Sequence, residues 1–498
     1  MRLLLLYLLA FVSVASAELV TVLGINDMHA NIDALPRLAA FLKAERDASP
    51  ELLLLSAGDN RTGDPYVDHG EKPGVPMIRL MNRLGFDLST LGNHEFDSGR
   101  RALQANLDAA RFGFVCANVR SAEGAELNLK PYHIFERQGV RIGVLGLVQV
   151  GKQGLPDANP ANCRGLIFRD PLAVARDYAY LRGECDVLIL LTHLGLSDDR
   201  QLARIFPEAD AIIGGHSHTR VDGAVLENGV LITQAEYRVS CITRLTFDVE
   251  NGKVLRKTAE LIPLSDYTAD PDMQAAVDAV RADPAMNRRL TLINPAINSR
   301  ESLGCLMADA MRSYTRADVA VVNAGNVRIP GLPEGPFTVA DCYRLDPFCN
   351  SMVVFRATGR ELLAFLNSVP EADHYGAPYV SGMRYKAVKP AAERRPMRIT
   401  EAATEDGRPI EPDALYTVVT NSYLMATVPA LPADRGRPVR ADVPQALIRF
   451  TEGRETAVYA DLSRIEVTES PDASAEPGPA DAAGAAAKEG RRSAGSLR

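Results

Sequence analysis

Five apolar runs in this chain each stop at a cluster of Asp, Asn and His. LVTVLGI is followed by Asn26-Asp27-Met28-His29, ELLLLSA by Gly58-Asp59-Asn60, and FDLSTLG by Gly92-Asn93-His94-Glu95-Phe96-Asp97. CDVLILLT runs into Thr192-His193-Leu194-Gly195, and ADAIIGG into Gly214-Gly215-His216-Ser217-His218. Two further runs, VRIGVLGLV and GVLITQA, belong to the same series, and helical stretches such as LPRLAAFLKAER and PLAVARDYAYLRG lie between several of them. Short runs that are apolar at every position, alternating with helices, predict an α/β fold with buried, largely parallel sheet. In such sheets the carboxyl ends of the strands form the ligand crevice. Five separate loops therefore deliver Asp, Asn and His to one rim.

The histidines sharpen this. Of the eight in the chain, His29, His94, His193, His216 and His218 fall in the clusters, whereas His69, His133 and His374 lack such company and receive no role. Carboxylate, imidazole and amide oxygen together suit hard and borderline divalent cations. Seven groups of this kind are too many for one tetrahedral ion and suit two ions about 3.5 to 4 Å apart, sharing a carboxylate.

NDMH, GDN, GNHEFD, THLG and GGHSH resemble the signature set of the calcineurin-like metallophosphoesterases, and the whole arrangement resembles the secreted 5′-nucleotidase family, which includes bacterial periplasmic nucleotidase/UDP-sugar hydrolases. The resemblance implies an N-terminal four-layer sandwich of two β-sheets flanked by helices, joined by a linker helix to an α/β C-terminal 5′-nucleotidase domain. It implies that Asp27, His29 and His218 hold one metal, that Asn93, His193 and His216 hold the other, and that Asp59 bridges them. His94 and Asp97 match the family's catalytic dyad. Glu95, between them, is expected to be a solvated or loop-stabilising carboxylate. The donor mix suits zinc, manganese or cobalt better than calcium.

In the second domain, Arg300 of SRESLGCLMADAM and Arg328 of NAGNVR match family positions where arginines grip substrate phosphates. Asn323 matches a residue that contacts the base, and Phe348 of LDPFCN one of two aromatics that clamp it. NAGNVR replaces two glycines of the family's NGGGIR by Ala324 and Asn326, and NSYLMATVPALPADRG lacks the glycines and aromatic of the family's second clamp. The expected function is an exported dimetal 5′-nucleotidase acting on nucleoside 5′-monophosphates, with UDP-sugars or nucleoside polyphosphates as further substrates. The alternatives are a 2′,3′-cyclic-nucleotide phosphodiesterase/3′-nucleotidase, a hydrolase of another phosphoester or sulfur ester, and a non-enzymatic surface-binding protein on the same scaffold.

At 498 residues the chain exceeds what one core supports, about 250 to 300 residues. Residues 1–17, with one Arg, an apolar run and Ala15-Ser16-Ala17, are expected to be a secretory signal peptide, which places the mature protein in the periplasm or outside the cell. The expected divisions are then 18–265 for the metal domain, 266–286 for a linker helix fenced by prolines, 287–467 for the substrate domain and 468–498 for a flexible tail. After signal cleavage no stretch is long and apolar enough to span a membrane. A net charge of −8 without a basic stripe argues against a nucleic-acid partner. Seven cysteines without a CxxC pair exclude a zinc ribbon; Cys342 and Cys349 are close enough in sequence to pair, and the rest read as buried small hydrophobes.

Overall fold

The computed structural model describes residues 17–122, 127–348, 350–373, 376–390, 397–428 and 436–470. The expected leader (apart from Ala17), His374, Cys349 and the tail beyond Ser470 lie outside them. The chain forms two compact units, Met1–Arg288 with Thr338–Phe348, and Arg289–Phe337 with Cys349–Arg498.

The first unit contains two six-stranded sheets. In one, Glu18–Ile25, Leu53–Ser56, Leu88–Thr90 and Gly113–Val115 run parallel, and the antiparallel pair Cys241–Glu250 and Lys253–Pro263 extends the edge. In the other, Val140–Val148, Val187–His193, Ala211–Ile213 and Val230–Thr233 run parallel between antiparallel edge strands Tyr132–Arg137 and Val225–Glu227. The inner faces meet in one core, where Val22, Leu53 and Leu55 pack with Val144, Ile189, Leu191 and Ile213. Helices Leu35–Ala48 and Val75–Leu84 cover the outer face of the first sheet, and helix Leu196–Ile205 that of the second. Every strand of these centres is thus covered on both sides. This is why all seven positions of Val187–His193 are buried and none could be a polar, solvent-facing residue. Each fully buried Leu or Ile there contributes about 1.5–3 kcal/mol. The result is the expected four-layer sandwich.

Register positions the loops. Ile25 pairs with Ser56 and Ser56 with Ser89, so the first three strands end level. Ile213 pairs with both Leu191 and Thr233, so Ala211–Ile213 and Val230–Thr233 end level and Val187–His193 runs two residues further, to His193.

Two segments complete the first unit. Helix Pro271–Arg281, capped by the Asp270 carboxylate on Met273 N–H at 2.8 Å, packs Met273 and Val277 into the core under helix Leu35–Ala48. Helix Val339–Leu345, with a capping box of Thr338 and Asp341, hydrogen-bonds Val339 N–H to Arg288 O at 3.1 Å and Ala340 N–H to Met286 O at 2.9 Å. Tyr343 of that helix stacks on His69 with ring centroids 3.9 Å apart.

The second unit has a five-stranded sheet in the order Tyr379–Ser381, Val319–Val322, Leu415–Asn421, Ser351–Thr358, Arg437–Asp442, with Val319, Val321, Phe355, Phe365 and Val418 in its core. A smaller sheet joins Arg398–Thr404, Met383–Pro390 and Ile465–Ser470, the last paired through Ser470. Cys116, Cys163, Cys185, Cys241 and Cys305 are buried free thiols. Among the described residues no helix is long and apolar enough to cross a membrane.

Candidate metal centre

The level strand ends bring the five clusters of the first unit together. The loops are tied to one another by backbone: Asp27 N–H donates to Gly58 O at 3.1 Å and His29 N–H to Asp59 O at 2.9 Å. They are also tied through the carboxylates. Asp59 Oδ1 accepts from His94 N–H at 2.9 Å, and Asp27 Oδ2 accepts from His216 N–H at 3.0 Å. Asp27, His29, Asp59, His216 and His218 all adopt left-handed backbone, with φ of 49°, 45°, 50°, 76° and 53°. Left-handed backbone costs an L-residue roughly 1–2 kcal/mol each, and such strain concentrates at functional sites. Two glycines are dictated by crowding. A Cβ on Gly92 would sit 2.1 Å from Asp59 Oδ1, and one on Gly215 would sit 2.8 Å from His193 Nδ1.

Backbone carbonyls fix two imidazole tautomers. A carbonyl only accepts, so His193 Nδ1 must carry its hydrogen toward Ala57 O at 2.7 Å, and His29 Nδ1 toward Thr62 O at 3.0 Å. Their Nε2 atoms are then turned toward other polar atoms of the cluster. His193 Nε2 faces Asp59 Oδ2 at 3.2 Å and Asn93 Oδ1 at 3.2 Å; His29 Nε2 faces His218 Nε2 at 2.9 Å. His216 Nδ1 adds a further contact to Asn93 Oδ1 at 2.9 Å, and His218 Nε2 lies 3.4 Å from Asp27 Oδ1. At His193 a lone pair facing a carboxylate in a dry site requires a cation between them, either a proton or a metal, whereas His29 and His218 can also share a single N–H. Asp27, His29 and His218 offer one set of converging donor atoms, and Asp27, Asp59 and His193 another. The donor set therefore fits divalent ions. The electrostatics point the same way. Burial opposes charge on His193, but Asp59 and Asp27 beside it outweigh burial and raise its pKa to about 9. Burial would raise the Asp59 carboxyl, yet His193 and His94 hold it well below the usual range.

His94 stands at the edge of this group. Its Nδ1 bonds Asp97 Oδ2 at 2.7 Å, which also accepts from Thr62 Oγ1 at 2.8 Å, and its Nε2 points to the rim 4.0 Å from Asp59 Oδ2. Burial works against its charge, but Asp97 and then Asp59 raise its pKa to about 10, so it is a cationic donor at neutral pH.

Glu95 is buried, not solvated. Its carboxylate accepts from the N–H groups of Asp59 at 3.0 Å, Asn60 at 2.9 Å and Gly92 at 2.6 Å, which makes it the loop-stabilising carboxylate of the two expected forms. Thr62 orients both His29 and Asp97, yet nothing in the sequence singles it out. Its signal is only its place in the loop after the second apolar run.

In the second unit, Arg300 lies against the 323–328 loop, its Nε donating to Val327 O at 3.1 Å and its Nη2 to the same oxygen. Asn323 is buried and its Oδ1 accepts from Asn421 Nδ2 at 2.8 Å, whereas Arg328 is exposed. Phe348 is half-buried and closes the Thr338–Phe348 segment of the first unit. Residues 429–435, within the stretch that corresponds to the family's second base clamp, lie outside the described residues.

Residues 20–220 match the calcineurin-like phosphoesterase family, and residues 286–428 match the 5′-nucleotidase C-terminal domain. The 5′-nucleotidase of Vibrio cholerae serotype O1 is 28% identical over 420 residues, covering 70% of this chain and 75% of its own. Endonuclease YhcR of Bacillus subtilis is 26% identical over 460 residues and covers 81% of this chain, which spans only 37% of that longer relative. Among solved structures, the 5′-nucleotidase precursor from Thermus thermophilus aligns over 91% of this chain and 100% of its own, with a TM-score of 0.73 and 26% identity.

Proposed function

The chain belongs to the 5′-nucleotidase family of calcineurin-like phosphoesterases, and from that premise we propose that it is an exported, metal-dependent phosphoester hydrolase that releases phosphate from nucleoside 5′-monophosphates. The observation that carries this is His193, a fully buried imidazole whose Nδ1 is tied to Ala57 O and whose Nε2 faces Asp59 and Asn93 oxygens. Asp27, His29 and His218 would hold one divalent ion and Asn93, His193 and His216 a second, with Asp59 shared. When bound, such ions acidify a water and neutralise charge on phosphoryl oxygens.

The chain's own residues supply the rest. His94, kept protonated by Asp97, donates a hydrogen bond from Nε2 to a phosphoryl oxygen as charge builds there. Thr62 and Asp97 hold that ring in place. Glu95 fixes the backbone of Asp59 and Gly92, so the shared carboxylate does not have to reorganise during reaction. Arg300 and Arg328 would bind the phosphate, and Asn323 and Phe348 the base.

The test is phosphate release by the purified full chain from AMP, UDP-glucose and 2′,3′-cyclic AMP, each with zinc, manganese or cobalt. Fastest turnover of AMP supports the proposal. Fastest turnover of the cyclic nucleotide assigns the phosphodiesterase activity instead. A folded protein that turns over none of the three with any of the metals refutes this substrate assignment.

A further inference from the structure

The four imidazoles assigned to the ions are not held alike. His29 and His193 are anchored at Nδ1 by backbone carbonyls, and His216 Nδ1 contacts Asn93. His218 has its Nε2 turned to His29 and Asp27, and among the described residues no hydrogen-bond partner lies at its Nδ1. Its side chain is 38% exposed. An imidazole so placed can rotate out of the seat unless packing stops it.

His29 meets that ring edge-on, with centroids 4.9 Å apart, and what packs flat on its face is Tyr237. The Tyr237 and His218 rings are parallel, 2° apart in plane, with centroids 4.8 Å apart. Tyr237 sits in a loop that is both strained and tied to the metal loop. Glu236, Arg238 and Val239 have φ of 61°, 56° and 61°, a conformation seldom adopted by non-glycine residues and least of all by a β-branched one. Hydrogen bonds to the loop after the first strand hold it there. Ala235 N–H donates to Asn26 Oδ1, Asn26 Nδ2 to Glu236 O, Arg238 N–H to Asp27 O and Asn31 Nδ2 to Arg238 O, each at 2.7 Å. Three of these four bonds fall on Asn26 or Asp27, and Val239 is anchored in the core beneath. The strain is concentrated where the loop must present one aromatic face to one ligand.

We infer that Tyr237 is a positioning residue for the ion seat made by Asp27, His29 and His218, its ring holding the His218 imidazole in its ligating rotamer. The inference rests on the two-ion assignment above. The ring face does this, not the hydroxyl, and the ion at Asn93, His193 and His216 does not depend on it.

The experiment is equilibrium dialysis of the full chain against manganese, reading the number of ions bound and both affinities. Wild type should bind two. Tyr237→Ala should bind one ion as wild type does and the other about 10–100-fold more weakly, the range for losing a group that orients a ligand. Tyr237→Phe should restore both affinities, and His218→Ala should weaken the same ion at least as much. Tyr237→Leu, which keeps bulk without a flat face, should follow Ala and gives the result if Ala does not fold, as judged by circular dichroism. Two wild-type affinities in both Ala and Leu, or a Phe variant as weak as Ala, would overturn the inference while leaving the two-ion assignment intact. A wild type that binds fewer than two ions removes that assignment and this inference with it.

Discussion

The rim of the first unit and the 323–328 loop of the second are built on opposite plans. At the rim, Asp27, Asp59 and His193 are buried, and each is oriented by a further bond, from His216 N–H, from His94 N–H and to Ala57 O. Five of the candidate ligands hold left-handed backbone that only a fully determined surrounding sustains. In the 323–328 loop, Arg328 is exposed, the exposed Arg300 rests its guanidinium on a backbone carbonyl, and the buried Nδ2 of Asn326 has no partner among the described residues. The rim is oriented bond by bond, while the two arginines proposed to bind phosphate stand exposed. Bond cleavage and substrate choice should therefore respond differently to substitution.

The sharpest way to break that contrast is Asp59→Asn, which removes the carboxylate proposed to be shared. Turnover should fall to background and metal analysis should find fewer than two ions; two ions retained would mean Asp59 is not shared. Next, His94→Ala should lower kcat by about 10²–10⁴-fold, the range for a positioned proton-bearing group, with ion content unchanged. Arg300→Ala and Arg328→Ala should act on KM. Losing a hydrogen bond to a charged group costs about 1.5–3 kcal/mol, or about 10–150-fold in KM for AMP, while kcat for p-nitrophenyl phosphate stays level. A kcat effect on that small substrate would erase the distinction between the two regions. The smallest effect is thermal. Chelation should lower the unfolding temperature of the first unit by several degrees and leave that of the second unmoved, because ions bound only to the folded rim stabilise it by mass action. Calorimetry, with one transition expected for each unit, is the measurement that checks this.

The same contrast explains what the sequence discloses. The sandwich and the convergence of the candidate ligands are legible because each apolar run ends where its polar cluster begins, and a run plus its cluster is local. Glu95 is not legible as to form, since whether its carboxylate is solvated depends on the amides of Asp59 and Asn60, 36 and 35 residues upstream, arriving at the same point. Tyr237 follows the seventh apolar run, but its loop carries no His or Asp to draw the eye. The packing of Thr338–Phe348 on the first unit is invisible to periodicity, because a seven-residue helix between two strands carries no mark of which core it joins.

That returning helix changes how the protein can be taken apart. A fragment ending at Arg288 would lose the partners of Met286 O and Arg288 O and strip Tyr343 from His69. The complementary fragment would carry a stray helix whose apolar side has no home. Cutting the gene once therefore yields two damaged pieces instead of two modules, and recombination between relatives at that junction would be penalised unless both donors supply a helix that fits the same groove.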